Sequence, residues 1–152
     1  MNKLSFTILI NAPAQSVYAS MLGLNNKSTY EYWTAAFNPT STFEGNWDAG
    51  SKIYFVGCDE NGKKSGMISQ IELHEPLKVV SIRHYGFLDG DQEITTGEMV
   101  ESWAGGSETY FFAETLTGTM VTVELDAVDA HKDYFLETYP KALQRLKDLL
   151  EK

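Results

Sequence analysis

The residues best suited to chemistry in this 152-residue chain are His84, in "SIRHYG", and the glutamates Glu98, Glu101 and Glu108. An imidazole changes charge near neutral pH, so an inward His84 could act as a general acid/base or donate a hydrogen bond to a ligand. A buried glutamate beside Tyr110 and His84 would complete an acid/base pair. The plainer reading makes His84 a hydrogen-bonded strand histidine and the glutamates outward or edge positions. His74, before Glu75-Pro76, reads as a solvated turn residue, and His131 as a surface residue opening the last helix.

Other chemistries find little support. The three histidines share no HxxxH or HxH spacing. "DGDQE" at 89–93 starts like a calcium loop but lacks Gly at the sixth position and Glu at the twelfth, so no metal site is expected. No GxSxG elbow, P-loop or GxGxxG occurs, which argues against serine hydrolases and nucleotide folds. Cys58 sits beside Asp59 and Glu60, neighbours that disfavour a nucleophilic thiolate. No cofactor and no catalytic set follow from these motifs.

A second group of residues points to binding. The stretch "TYEYWTAAFNPTSTFEGNW" gathers Tyr30, Tyr32, Trp33, Phe37, Phe43 and Trp47. Such rings either fill a solid core or wall a cavity. Tyrosine and tryptophan carry polar tips that want partners when buried, whereas pockets combine apolar walls with a few convergent polar groups. The expected ligand-binding residues are Trp33, Phe37, Trp47, His84 and Tyr110, around a small hydrophobic molecule.

Composition limits the partners. Twenty-one acidic against twelve basic residues give a net charge of -9, a field that repels nucleic acid. No apolar run approaches the length of a membrane span. "MNKLSFTILINAP" alternates too strictly for a signal peptide, and a single cysteine fits a reducing compartment. The expectation is a cytoplasmic protein of one domain, residues 1–152.

The elements that must position these residues are legible in outline. "LSFTILI" alternates as a half-buried strand. "NAPAQSVYASMLG" reads as a helix with Pro13 in its first turn and Gly23 at its stop. A second short helix is expected from about Ser28 to Phe37, with Tyr30, Trp33 and Phe37 on one stripe. From 42 to 126 short strands alternate with turn sequences such as "DENG", "LDGD" and "AGGS". "EMVESW" counts among the strands, and 87–98 reads as a mobile loop. The last twenty or so residues form an amphipathic helix, about Ala130–Leu150, with Asp129 as its N-cap and a kink at Pro140. Phe135, Tyr139, Leu143, Leu146 and Leu150 make its apolar stripe. Strands run together and helices stand apart, which is the α+β class.

In this order and spacing the chain resembles the START-like superfamily, also called SRPBCC. The carriers are "FTILINAPAQSVYASM", "EYWTAAFNPTSTFEGNWDAGSKIYF", the Gly of "KSGMISQIELHEPLKVVSIRH", "WAGGSETYFF" and "YFLETYPKALQRLKDLLEK". The branch most similar is that of the activator of a heat-shock chaperone ATPase and polyketide-cyclase-like bacterial proteins. The resemblance implies a helix-grip fold: a curved antiparallel sheet of six or seven strands wrapped around the C-terminal helix, with two short helices after the first strand. It also implies an apolar cavity for a lipid, polyketide or other hydrophobic ligand, with catalysis in a minority of members. The expectation is binding without catalysis; the alternatives are a cyclase- or dehydratase-type enzyme using His84 and a glutamate as acid/base, or an interaction protein that contacts a chaperone ATPase.

Overall fold

The computed structural model describes residues 1–152. The first strand, β1 (Asn2–Ile10), carries Leu4, Phe6, Ile8 and Ile10 on one face and turns Lys3, Ser5 and Thr7 outward. It is followed by α1 (Ala14–Leu22) and α2 (Lys27–Thr34). Pro13 is the N-cap of α1, one position before its first turn, and Gly23 closes the helix at φ 69, a left-handed conformation that glycine adopts without a Cβ clash. The Asn26 side chain caps α2 by accepting from Ser28 N at 3.0 Å.

Helix α2 stops at Thr34, earlier than the expected Phe37. Thr34 Oγ1 donates back to Tyr30 O at 2.7 Å, and a tighter turn from Thr34 O to Phe37 N follows. Trp33 and Phe37 therefore do not share one helical stripe.

The strands β2 (Thr42–Gly45), β3 (Lys52–Cys58), β4 (Lys64–Glu75), β5 (Val79–Asp89), β7 (Ser107–Glu114) and β8 (Thr119–Ala127) join β1 in one antiparallel sheet. The order is β1-β8-β7-β5-β4-β3-β2, and short β6 (Gln92–Ile94) pairs with β5 beyond the end of β7. The architecture is α+β, as expected. Edge strand β1 pairs with β8 in a register that sets Leu4 opposite Leu125, Phe6 opposite Val123 and Ile8 opposite Val121. Gly66 of β4 is required by close packing: at φ 156, a Cβ there would run into the Phe55 carbonyl of β3.

Two expectations along this stretch are corrected. Residues 87–94 are a hairpin, not a mobile loop: Gly90 at φ 64 makes the turn between β5 and β6. Glu93 then ties β6 to β3, accepting from Lys52 Nζ at 2.8 Å and Tyr54 OH at 2.6 Å. "EMVESW" is not a strand but contains a one-turn helix, α3 (Glu98–Glu101), whose Val100 is buried.

The C-terminal helix α4 (Asp129–Leu150) runs through Pro140 as one element. Its N-cap is Val128, not Asp129; the Asp129 carboxylate instead accepts from Asn2 Nδ2 at 2.6 Å. The main core lies between one face of the sheet and the three longer helices, and includes Ile10, Val17, Trp33, Ile82, Val121 and Leu146. A small cluster of Val56, Ile68 and Leu88 packs on the sheet's other face.

Candidate functional site

Helix α4 is divided in its burial. No residue from Asp129 to Glu137 is buried, whereas Thr138, Tyr139, Ala142, Leu143 and Leu146 are. The change falls beside Pro140, which supplies no N–H to the Leu136 carbonyl. The C-terminal half packs into the core, and the N-terminal half stands over the middle of the sheet. Between that N-terminal half and the sheet lies a cavity of about 390 Å³ that opens to solvent. His131, Tyr134, Phe135 and Tyr139 form its helix wall; Met67, His84, Glu108 and Leu125 form its sheet wall. Phe37 and Phe55 close one end, and Trp103, after α3, lies at another side. The walls are mostly apolar and aromatic, and a few polar groups converge on one place.

That place is a hydrogen-bonded chain across three strands and the helix. Ser69 Oγ on β4 lies 2.6 Å from His84 Nδ1 on β5. His84 Nε2 lies 3.1 Å from Glu108 Oε1 on β7. Tyr139 of α4 donates its hydroxyl hydrogen to Glu108 Oε2. A β-bulge aims the histidine. Ile68 pairs with Gly86 and Ser69 with His84, so Tyr85 is the extra residue on β5. Glycines 105 and 106 hold the His84 backbone on its other side through Gly105 N to His84 O (2.9 Å) and His84 N to Gly106 O (3.0 Å).

Donor counting fixes the hydrogen positions. Ser69 is fully buried and has His84 as its side-chain partner. If Ser69 donates to Nδ1 and the Nε2 hydrogen goes to Glu108, every polar hydrogen in the chain has an acceptor. A doubly protonated ring would leave the serine hydroxyl hydrogen without one. The arrangement fits a hydrogen on Nε2, with both Glu108 oxygens accepting. Burial holds the Tyr139 and Tyr110 hydroxyls well above the ordinary tyrosine range, and the nearby Glu108 charge adds to the effect.

Of the expected ligand-binding residues, Phe37 and His84 line the cavity. Trp33, Trp47 and Tyr110 do not; they lie in the packed layer behind it, at 1%, 4% and 3% exposure. Trp33 lies within α2 and points into the core, where its Nε1 donates to Met21 O at 2.9 Å. Its ring centroid is 6.1 Å from Tyr110 and 6.4 Å from Tyr139, so it backs the wall without reaching its surface. Trp47 packs 5.5 Å from Phe55 in the same way.

The plain reading of Glu108 as an outward strand position is overturned. It faces inward, with a side chain 16% exposed. The signal was present: Glu108 and Tyr110 are two residues apart on one strand and must share a face. His74 is likewise no solvated turn residue. It sits on β4, its Nδ1 2.7 Å from Trp47 O and its Nε2 2.5 Å from Tyr18 OH. A carbonyl can only accept, so Nδ1 carries the hydrogen and the imidazole locks α1 to the turn at Trp47. His131 is exposed as expected, yet lies on the cavity wall. Ser69 and Trp103 carried no sequence signal as site residues. Cys58 is exposed and outside the site.

No protein-family model and no curated protein matches the sequence. Solved structures do match it along nearly its whole length. A protein from Mesorhizobium loti superposes with a TM-score of 0.72 at 13% identity, covering 99% of this chain and 97% of its own. One from Nitrosomonas europaea gives 0.72 at 16% identity, over 98% and 94%. The Aha1 dimer from Colwellia psychrerythraea, solved in solution, gives 0.69 at 21% identity, over 99% and 97%. At these identities the likeness shows the fold, and it agrees with a helix-grip arrangement. No helix in the chain is long and apolar enough to cross a membrane.

Proposed function

We propose that this chain binds a small hydrophobic molecule in the cavity between its sheet and its C-terminal helix, in the cytoplasm and without catalysis of its own. The observation that carries this reading is the cavity of about 390 Å³, walled by aromatic rings and served by one convergent polar cluster. That volume falls in the range of small-molecule sites. A neutral solvatochromic dye, Nile red, tests it. Saturable binding with blue-shifted emission is expected, weakened in Phe37→Ala while the unfolding midpoint moves little. Failure of the dye to saturate any site, with the protein folded, overturns the reading. Native mass spectrometry of protein purified from its own host should then show a retained molecule.

The chain Ser69–His84–Glu108–Tyr139 favours a second reading, an enzyme of cyclase or dehydratase type in which His84 and Glu108 move a proton. The two separate at His84. A binder keeps its ligand in His84→Gln, whereas an enzyme holds the ligand and no longer converts it. Conversion of the retained molecule by the unaltered protein, lost in His84→Gln, would establish the enzyme.

A further inference from the structure

We propose that the molecule held in this cavity is an apolar amine, bound as its ammonium ion with the charged head against Glu108. The inference rests on the binding reading above and names the ligand class for the same site.

The cavity's charges are one-sided. Two carboxylates, Glu108 and Asp126, lie in its wall, and no lysine or arginine does. Asp126 is already engaged: Oδ2 accepts from Ser107 N at 3.0 Å and Oδ1 lies 3.5 Å from Lys3 Nζ. Glu108 differs. Its two oxygens receive the Tyr139 hydroxyl and the Nε2–H of His84. Those bonds fix the carboxylate in place, and no lysine or arginine pairs with it. A carboxylate offers about four acceptor positions, so two remain, on a side chain that borders the cavity.

A carboxylate in a largely apolar, partly desolvated wall is stabilised by a cationic partner. An ammonium head supplies one and donates to the open positions. It also sits favourably over aromatic faces, and Phe37, Phe55, Phe135 and Trp103 provide them around the same space. The apolar remainder of the ligand fills the walls. The net charge of -9 raises the local concentration of cations and lowers that of anions. A fatty acid or other anionic amphiphile would instead bring its head against a carboxylate, like charge to like charge.

The test compares three heads on one chain: decylamine, decanol and decanoate, each titrated against bound Nile red at neutral pH and below micelle-forming concentrations. Decylamine is protonated there, as an alkylamine of this basicity must be. Decylamine is expected to displace the dye at a concentration about tenfold lower than decanol, with decanoate weakest. In Glu108→Gln the advantage of the amine over the alcohol should fall to about twofold or less. Equal displacement by all three, or strongest displacement by decanoate, overturns the amine assignment and leaves the binding reading standing. A dye that never binds overturns both. The ranking in the unaltered protein decides the matter even where Glu108→Gln fails to fold.

Discussion

Ser69 and His84 face each other across the β4–β5 ladder, with Oγ 2.6 Å from Nδ1. The serine is fully buried and lies behind the imidazole as seen from the cavity, so its role is to position the ring. Ser69→Ala removes the donor and leaves a buried acceptor unpaired, which should cost about 1–3 kcal/mol. It should also release the tautomer. Nitrogen chemical shifts of the ring are expected to show one Nε2–H form in the unaltered protein and averaging of two forms in the variant. An unchanged tautomer in Ser69→Ala would mean that Glu108 alone sets it.

Tyr139 combines a packing role and a polar one. Its ring stacks on Phe6 at 5.0 Å and 16°, and its hydroxyl donates to Glu108. Tyr139→Phe keeps the ring and should cost about 1.5–3 kcal/mol, the range for a hydrogen bond to a charged group. Tyr139→Ala should cost about 3–5 kcal/mol, since it empties a large buried site. Urea unfolding of both variants separates the two contributions; an unchanged stability in Tyr139→Phe would show that the hydroxyl contributes nothing.

The divided burial of α4 predicts divided mutational sensitivity. Leu143 and Leu146 are 2% and 0% exposed, and alanine at either should cost about 2–5 kcal/mol. Phe135 borders the cavity and is only half-buried. Phe135→Ala should cost less, about 1 kcal/mol, and weaken Nile red binding more than either leucine variant that remains folded.

Tyr30, Tyr110 and Tyr139 give the protein an alkaline limit. Burial, the largest cause for each, and the Glu108 charge keep their hydroxyls protonated well above the ordinary range in the folded state. In the unfolded chain each loses its proton near pH 10. Above that pH the folded state binds more protons than the unfolded one, so stability falls as pH rises. Absorbance of tyrosinate near 295 nm should show these three ionising only with loss of structure. Reversible ionisation of all eight tyrosines in folded protein would contradict their burial.

What the sequence displayed and what it hid follow from how each signal is encoded. Alternation within a strand and the stripe of the last helix are local, so the sheet and α4 could be read directly. Tyr110 was legible as inward, and the same alternation carries Glu108 with it; the charge of the glutamate obscured a position its neighbour had settled. Phe111, apolar and 38% exposed on the opposite face, further blurred the alternation of "ETYFFAE". Ser69 was out of reach because its meeting with His84 depends on a bulge at Tyr85, and bulges shift register without a local signature. Trp33 was misplaced for another reason. Helix α2 ends at Thr34, before Phe37, so the stripe that linked Trp33 to Phe37 does not continue.

The break in burial at Pro140 also bears on how a bound molecule enters and leaves. Amide hydrogens in the C-terminal half of α4 are shielded by buried Ala142, Leu143 and Leu146, and should exchange with solvent only when the whole protein unfolds. Those between about His131 and Glu137 belong to a segment without one buried side chain, next to a residue that contributes no helical hydrogen bond. They should exchange through a cheaper opening confined to that half, and their protection should rise when Nile red is bound. Helix α4 would then comprise two cooperative units, a hinge-side anchor that holds the fold and a fraying arm whose excursions set the residence time of whatever the cavity contains.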